Sequence, residues 1–486
     1  MPQRTHASGR RVLRALIGVA LLMPVLGCPW KIQQERRAAE GALRQAEEAR
    51  AQAEQAKRAL AEAQAALAKQ ARRPNIVYIL CDDLGYGDLG CFASPVIKTP
   101  NLDRLAEGAM KLTHCYAAAP VCSPSRAGII TGRNPNRCGI RDWIPPDKGI
   151  YLKRDEMSVA RLLKSAGYRT AHVGKWHLNS KMDGSEPTPG DHGFDHWFAT
   201  QNNASPSHQD PVNFVRDGKP VGKLTGNSST LIMDEALAFL KDNKDKPFAL
   251  FVCFHAPHEP VATPEEWTKL YNDIPDPTKR IYYGSVSLVD HEVGRLVKTL
   301  DELKRRDDTL IFFTSDNGPE TLNRYKGAER SHGSPGPLRG MKLHVTEGGY
   351  RIPGILSWPA RIKKGAVCEE PVCSLDLLPT LCELAGVKPP TDRPLDGASF
   401  TPILDGKPID RKTPLYWQYD KAISKPWTLS LRKGPWKLLA DARMEKFELY
   451  DLTADTPEAK DRAADKPDLL KELKAEMRRI HQEINK

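Results

Sequence analysis

Cys122 stands in the run Val121-Cys122-Ser123-Pro124-Ser125-Arg126, just ahead of an apolar stretch that reads as a helix, with Pro124 suited to its first turn. A helix N-terminus stabilises anions and lowers a thiol pKa, so this position suits a reactive cysteine; a lone cysteine is by default a buried structural one. Four further clusters each follow a short apolar run. Asp82 and Asp83 follow 76–81, Lys175 and His177 follow 169–173, His255 and His258 follow 248–254, and Asp316 and Asn317 follow 309–314. Carboxylates and an amide suit a hard cation, while lysine and histidine suit an anionic group and proton transfer. Singly, Asp-Asp or Asp-Asn-Gly is a turn or cap, and a lone histidine a satisfied structural one. The four apolar runs are the length of buried strands, however, and open α/β sheets bind ligands beyond the carboxyl ends of their strands. The four clusters are therefore expected to converge on one site.

The elements that must position them begin at Pro74. From there short apolar runs alternate with helical patterns, punctuated by Gly and Pro, as in an α/β fold with a mainly parallel sheet. After Pro402 the pattern changes to β-like pieces at 415–419, 428–431, 436–439 and 447–452, then an amphipathic helix from about Asp468. This predicts a catalytic domain over 74–404 and a smaller antiparallel sheet covered by a helix over 405–486. Ahead of Pro74, residues 33–72 hold no Pro, one Gly and many strong helix formers, so 29–73 reads as one long helical stalk. Its 3-4 rhythm of alanines resembles a coiled-coil seam, but alanine buries little area. Weak association through it and a solvated lone helix both remain open.

Residues 1–28 carry Arg4, Arg10, Arg11 and Arg14, then an apolar stretch at 15–26. That is a signal peptide, too short for the roughly 20 residues of a membrane span. Val25-Leu26-Gly27-Cys28 resembles a bacterial lipobox, which implies lipidation of Cys28 and a place in the cell envelope, periplasmic or surface-facing, anchored to the membrane. The 486 residues exceed one usual core. A net charge of +11 favours acidic partners without choosing among them. Ten cysteines form neither a disulfide framework nor zinc spacing, although Cys368 and Cys373 are a candidate pair. No phosphate loop or nucleic-acid motif appears, so no nucleic-acid partner is expected. His172, inside a strand, reads as structural.

The wording around Cys122, CSPSRAGIITGR, resembles the sulfatase signature, in which C-x-P-x-R directs oxidation of the cysteine to formylglycine. CDDLGYGDLG, TPNLDRLAEGAM, GYRTAHVGKWHL, APHEP, SDNG and LRGMKLHVTEGGYRIP continue the resemblance over roughly 74–452. It implies an alkaline-phosphatase-like fold: a central mixed, mostly parallel sheet flanked by helices, with a smaller C-terminal antiparallel sheet plus helix. It implies one Ca²⁺ held by Asp82, Asp83, Asp316, Asn317 and an oxygen of the modified Cys122. The formylglycine hydrate would offer one hydroxyl, activated beside Arg126, to attack sulfur, and a second, deprotonated by His177, to eject sulfate. Lys175 and Lys342 match the family's sulfate-binding lysines and His258 the histidine at the leaving oxygen. His255 contacts substrate or simply packs, and His344 has an equally good packing reading. The implied partners are a formylglycine-generating maturase and a sulfated carbohydrate; the stretch from Cys122 to Pro146 looks like sulfatases of 6-sulfated galactose or N-acetylgalactosamine. The alternatives are a phosphate or phosphonate ester hydrolase on this fold and a non-catalytic binder of sulfated glycans. The intact residue set argues against the latter.

Overall fold

Strand β1 (Asn75–Asp82) is buried along its whole length, and its side chains alternate between two cores. Ile76, Tyr78 and Leu80 face one; Val77, Ile79 and Cys81 face the other. A strand buried on both faces is a continuous apolar run, which is why 76–81 is legible as sequence. The computed structural model describes residues 29–70, 73–321 and 328–486, so the leader and Cys28 lie outside it.

The central sheet has eleven strands. With β1 these are β2 (Met110–Tyr116), β3 (Arg169–Lys175), β4 (His196–Thr200), β5 (Val215–Arg216), β6 (Lys219–Pro220), β7 (Phe248–Pro257), β8 (Thr309–Ser315), β9 (Arg351–Ser357), β10 (Ala366–Cys368) and β11 (Val372–Cys373). Their order is β10-β2-β9-β8-β1-β7-β3-β4-β5-β6, with β11 beside β2. The run β8-β1-β7-β3-β4 is parallel, whereas β9 is antiparallel to both neighbours and β4-β5-β6 closes one edge antiparallel. One face is covered by helices Cys122–Thr131, Val159–Ser165 and Leu377–Ala385, the other by Pro100–Glu107, Ser228–Asp242 and Pro277–Glu302. The sheet is thus mixed, mostly parallel and flanked by helices, as expected.

The C-terminal sheet runs β12 (Leu415–Gln418), β13 (Trp427–Lys433), β14 (Trp436–Asp441) and β15 (Phe447–Asp451) in sequence order, all antiparallel. One face packs on Leu473, Met477, Ile480 and Ile484, the apolar stripe of helix Pro467–Ile484. The other joins the catalytic core, where Trp417 stacks on Tyr350 with ring centroids 4.2 Å apart. Buried charges cross this junction: Lys437 Nζ lies 2.9 Å from Glu347 and 2.8 Å from Glu458. Burial pushes the Glu347 carboxyl up, but Lys437, Arg351 and Arg432 outweigh it and hold the group down at about 2. Lys437→Met would leave the two carboxylates facing one another, and should cost about 3–5 kcal/mol. A denaturation midpoint lowered at unchanged slope would show this; an unmoved midpoint would mean the neighbouring arginines suffice.

The helix Pro29–Gln70 is a separate unit of 42 residues, about 63 Å long, and its side chains are exposed through Ala61. Among the described residues no helix is long and apolar enough to cross a membrane. No disulfide forms either: all nine described cysteines are free, Cys368 and Cys373 included. Cys368 pairs with Leu112 of β2 and Cys373 with Tyr116, four residues further along. That separates them by about 13 Å, beyond disulfide reach.

Candidate active site

Because β8, β1, β7 and β3 are parallel neighbours, their carboxyl ends deliver the four polar clusters side by side. Two close approaches set the spacing. A Cβ at Gly174, before Lys175, would fall 1.8 Å from the Cys253 carbonyl oxygen of β7, and one at Gly318, after Asn317, would fall 1.8 Å from the Gly348 carbonyl oxygen. The register of β1 on β7 slips between Leu80 and Asp82, and Asp83 then takes φ +64°. His177 at +55° and Leu343 at +68° are held the same way. Such left-handed non-glycine residues cost about 1–3 kcal/mol each and persist where packing fixes them, often at functional sites.

Asp82, Asp83, Asp316 and Asn317 are all buried. Arg126, one turn into the helix begun by Cys122, donates through Nε (3.0 Å) and Nη2 (2.7 Å) to Asp316 Oδ2, and through Nη1 to the Lys175 carbonyl (2.8 Å). Lys175 Nζ donates to Asp82 Oδ2, and Lys342 Nζ to Asp83 Oδ2 at 2.7 Å. Asn317 Nδ2 donates to Asp83 Oδ1 at 2.7 Å. Burial, outweighing Lys342 and joined by the charges of Asp82 and Asp316, lifts Asp83 to about 7; burial and Asp82 lift Asp316 to about 6. Asp82 goes the other way: burial pushes its carboxyl up, but Lys175, His258, Arg126 and Lys342 outweigh it and hold the group well below the usual carboxylate range. Asp82 Oδ1 and Asn317 Oδ1 are also buried without a hydrogen-bond partner. Buried hard oxygens left without a partner are what calcium takes, so the residues fit that ion. Ligand atoms of Asp82, Asp83 and His258 all lie within 4.8 Å of one another.

Cys122 is the first residue of its helix and is buried. The charges that act on it are those of Lys175, Lys342, Asp82 and Asp316, which places it in the cluster. Its thiol is nevertheless pushed up to about 11, because burial outweighs the two lysines. This reverses the direction expected from a helix N-terminus. His177 Nε2 lies 3.1 Å from the Ile144 carbonyl, which can only accept, so Nε2 carries the proton. Nδ1 is left as a buried lone pair without a partner, and burial, Lys175 and Arg126 hold the imidazole neutral. His258 Nε2 lies 3.5 Å from Asp83 Oδ2, its Nδ1 lies against both Asn203 Nδ2 and the Glu259 carbonyl, and burial with Lys342 lowers its pKa, so the ring is neutral.

His255 is wholly buried, its Nε2 2.7 Å from Thr200 Oγ1 and its ring against His208 and Phe214. His344 Nδ1 lies 3.0 Å from the Met341 carbonyl and braces the Lys342 turn. Asn203 escaped the sequence reading. It accepts from Lys175 Nζ (3.1 Å) and places Nδ2 3.0 Å from His258 Nδ1, tying two clusters together. The only signal for it was its place in a polar loop after β4.

The sulfatase family model matches residues 74–387, and the model described as N-sulphoglucosamine sulphohydrolase, C-terminal, matches 341–484. The chain belongs to the sulfatase family. It is 35% identical over 364 residues to N-acetylgalactosamine-6-sulfatase of Rattus norvegicus, covering 70% of this chain and 67% of that protein. To steryl-sulfatase of Homo sapiens it is 31% identical over 417 residues, covering 69% and 70%. The crystal structure of Ps i-CgsB in complex with k-i-k-neocarrahexaose superposes with a TM-score of 0.75 at 28% identity, over 85% of this chain and 94% of that one. The fold is that of the alkaline phosphatase superfamily, and this sulfatase is a sulfuric ester hydrolase. In it His177→Ala should lower kcat by roughly 10²- to 10⁴-fold, and KM far less, in steady-state assays of an aryl sulfate. An unchanged kcat would remove His177 from proton transfer.

Proposed function

We propose that this sulfatase cleaves sulfate esters on carbohydrate with a nucleophile made from Cys122, assisted by one calcium ion, outside the cytoplasm of a bacterium and anchored through a lipidated Cys28. The observation that carries the site assignment is the meeting of Cys122, three buried carboxylates, Arg126, Lys175 and Lys342 at the ends of four parallel strands. Formylglycine at Cys122, installed by a maturase, would supply through its hydrate one hydroxyl for attack and one for release. Calcium held by Asp82, Asp83, Asp316 and Asn317 would supply positive charge for the anionic group. Arg126, Lys175 and Lys342 bring three fixed cations to one sulfate, a preorganised field for charge that builds on its oxygens. His177 takes a proton at Nδ1, the ring atom left open by its bond to Ile144. His258, held by Asn203, faces Asp83 and serves the leaving oxygen.

A sugar as the leaving group is supported by the likeness to Ps i-CgsB, whose structure holds a neocarrahexaose, and to N-acetylgalactosamine-6-sulfatase. The test is release of inorganic sulfate by matured enzyme from the monosulfates of galactose, N-acetylgalactosamine and N-acetylglucosamine, beside p-nitrophenyl sulfate and p-nitrophenyl phosphate. Sulfate release from at least one sugar is expected. Preference for the aryl phosphate would favour the phosphoesterase alternative.

A further inference from the structure

Asp142 and Trp143 have no part in the site described above, yet with Ile144 they are held by three site elements. The Ile144 amide donates to Ser123 Oγ (3.1 Å), next to Cys122, and its carbonyl receives His177 Nε2. Asp142 reaches the C-terminal subdomain: Oδ1 accepts from Tyr419 (2.9 Å) and from the Trp143 amide (2.9 Å), and Oδ2 accepts from Lys421 Nζ (2.6 Å). The turn after β12 that supplies Tyr419 and Lys421 also binds the Lys342 segment, through the Ile423 amide to the Leu343 carbonyl (3.0 Å). Tyr419 is itself buried in the field of Cys122 and Lys342. The segment is therefore the rim of the active site where the two parts of the catalytic body meet.

On that rim Trp143 is 43% exposed, whereas Trp176, Trp358 and Trp417 are completely buried. Both its chain neighbours are pinned, so its backbone is fixed, and its side chain is left partly exposed. A rigid apolar face costs little conformational entropy to use in binding, and it matches the C–H face of a pyranose. We propose that Trp143 determines specificity, its indole forming the platform for the sugar ring that bears the scissile sulfate, with Asp142, Tyr419 and Lys421 as the clamp that positions it. This rests on the sulfatase reading.

The test compares wild type, Trp143→Ala and Trp143→Phe on whichever sugar monosulfate of the panel above wild type cleaves best, with inhibition by inorganic sulfate as the readout of the sulfate pocket. Trp143→Ala should lose roughly ten- to hundredfold in kcat/KM on the sugar, mainly through KM, with inhibition by inorganic sulfate unchanged. Trp143→Phe should recover most of the loss. Unchanged sugar turnover in Trp143→Ala would overturn the proposal, as would weakening of sulfate inhibition in parallel, which marks a collapsed pocket. So would cleavage by wild type of p-nitrophenyl sulfate but of no sugar in the panel. Should wild type cleave no sulfate ester at all, the sulfatase reading itself fails. Calorimetric binding of galactose 6-sulfate to Cys122→Ala, with and without Trp143→Ala, then decides the platform alone: a Kd raised about tenfold or more supports it, and an unchanged Kd or no binding overturns it.

Discussion

Cys122→Ala should lower kcat/KM on an aryl sulfate by about 10⁵-fold or more, while the unfolding midpoint stays near wild type. The side chain lost is small, and among the described residues its thiol makes no hydrogen bond on which the fold depends. What disappears is a group in the field of Arg126, Lys175 and Lys342, beside a metal-fit set of oxygens. The unmodified thiol is no substitute, since burial holds it at about 11 and its thiolate is scarce at neutral pH. Chain expressed without a maturase should therefore resemble the alanine variant. Cys122→Ser should be inactive too, unless the host's maturase accepts serine. Stopped and steady-state assays on matched preparations check this, and full activity from an unmodified serine would contradict the formylglycine account.

Asp316→Asn should lower kcat/KM by about 10³-fold and abolish stabilisation by calcium. In wild type, calcium at one hundred times its Kd should stabilise the fold by about 2.7 kcal/mol, seen as a higher melting temperature that chelation reverses. The amide keeps the shape but removes the negative charge that both Arg126 and the cation need; it also strips the guanidinium of its partner. The melting shift separates these effects, because calcium stabilisation does not depend on turnover. A calcium-dependent rise of wild-type size in Asp316→Asn would remove that carboxylate from the metal site.

The sequence exposed those parts of the site that lie at the ends of strands buried on both faces. Runs such as 76–81 and 309–314 are unbroken apolar blocks, so the aspartates after them stand out. The antiparallel members were harder to see. β9 contains Pro353 and Gly354, residues that weaken a strand reading, and β2 interleaves Lys111, Thr113 and His114 with its apolar positions. Backbone partners leave no trace in composition: nothing about Ile144 signals that its carbonyl fixes the tautomer of His177. The direction of the Cys122 shift was also beyond pattern, because the helix terminus is local whereas the burial that overrides it comes from the whole fold. Asn203 and the Asp142 clamp depend on contacts across more than fifty residues of chain, which no spacing rule reaches.

The most direct test of the account is the mass of the peptide containing Cys122, taken from enzyme co-expressed with a formylglycine-generating maturase and assayed in the same sample. The account predicts an aldehyde in place of the thiol, in proportion to sulfate-releasing activity. A thiol retained throughout, in a sample that cleaves sulfate esters at full rate, would contradict it.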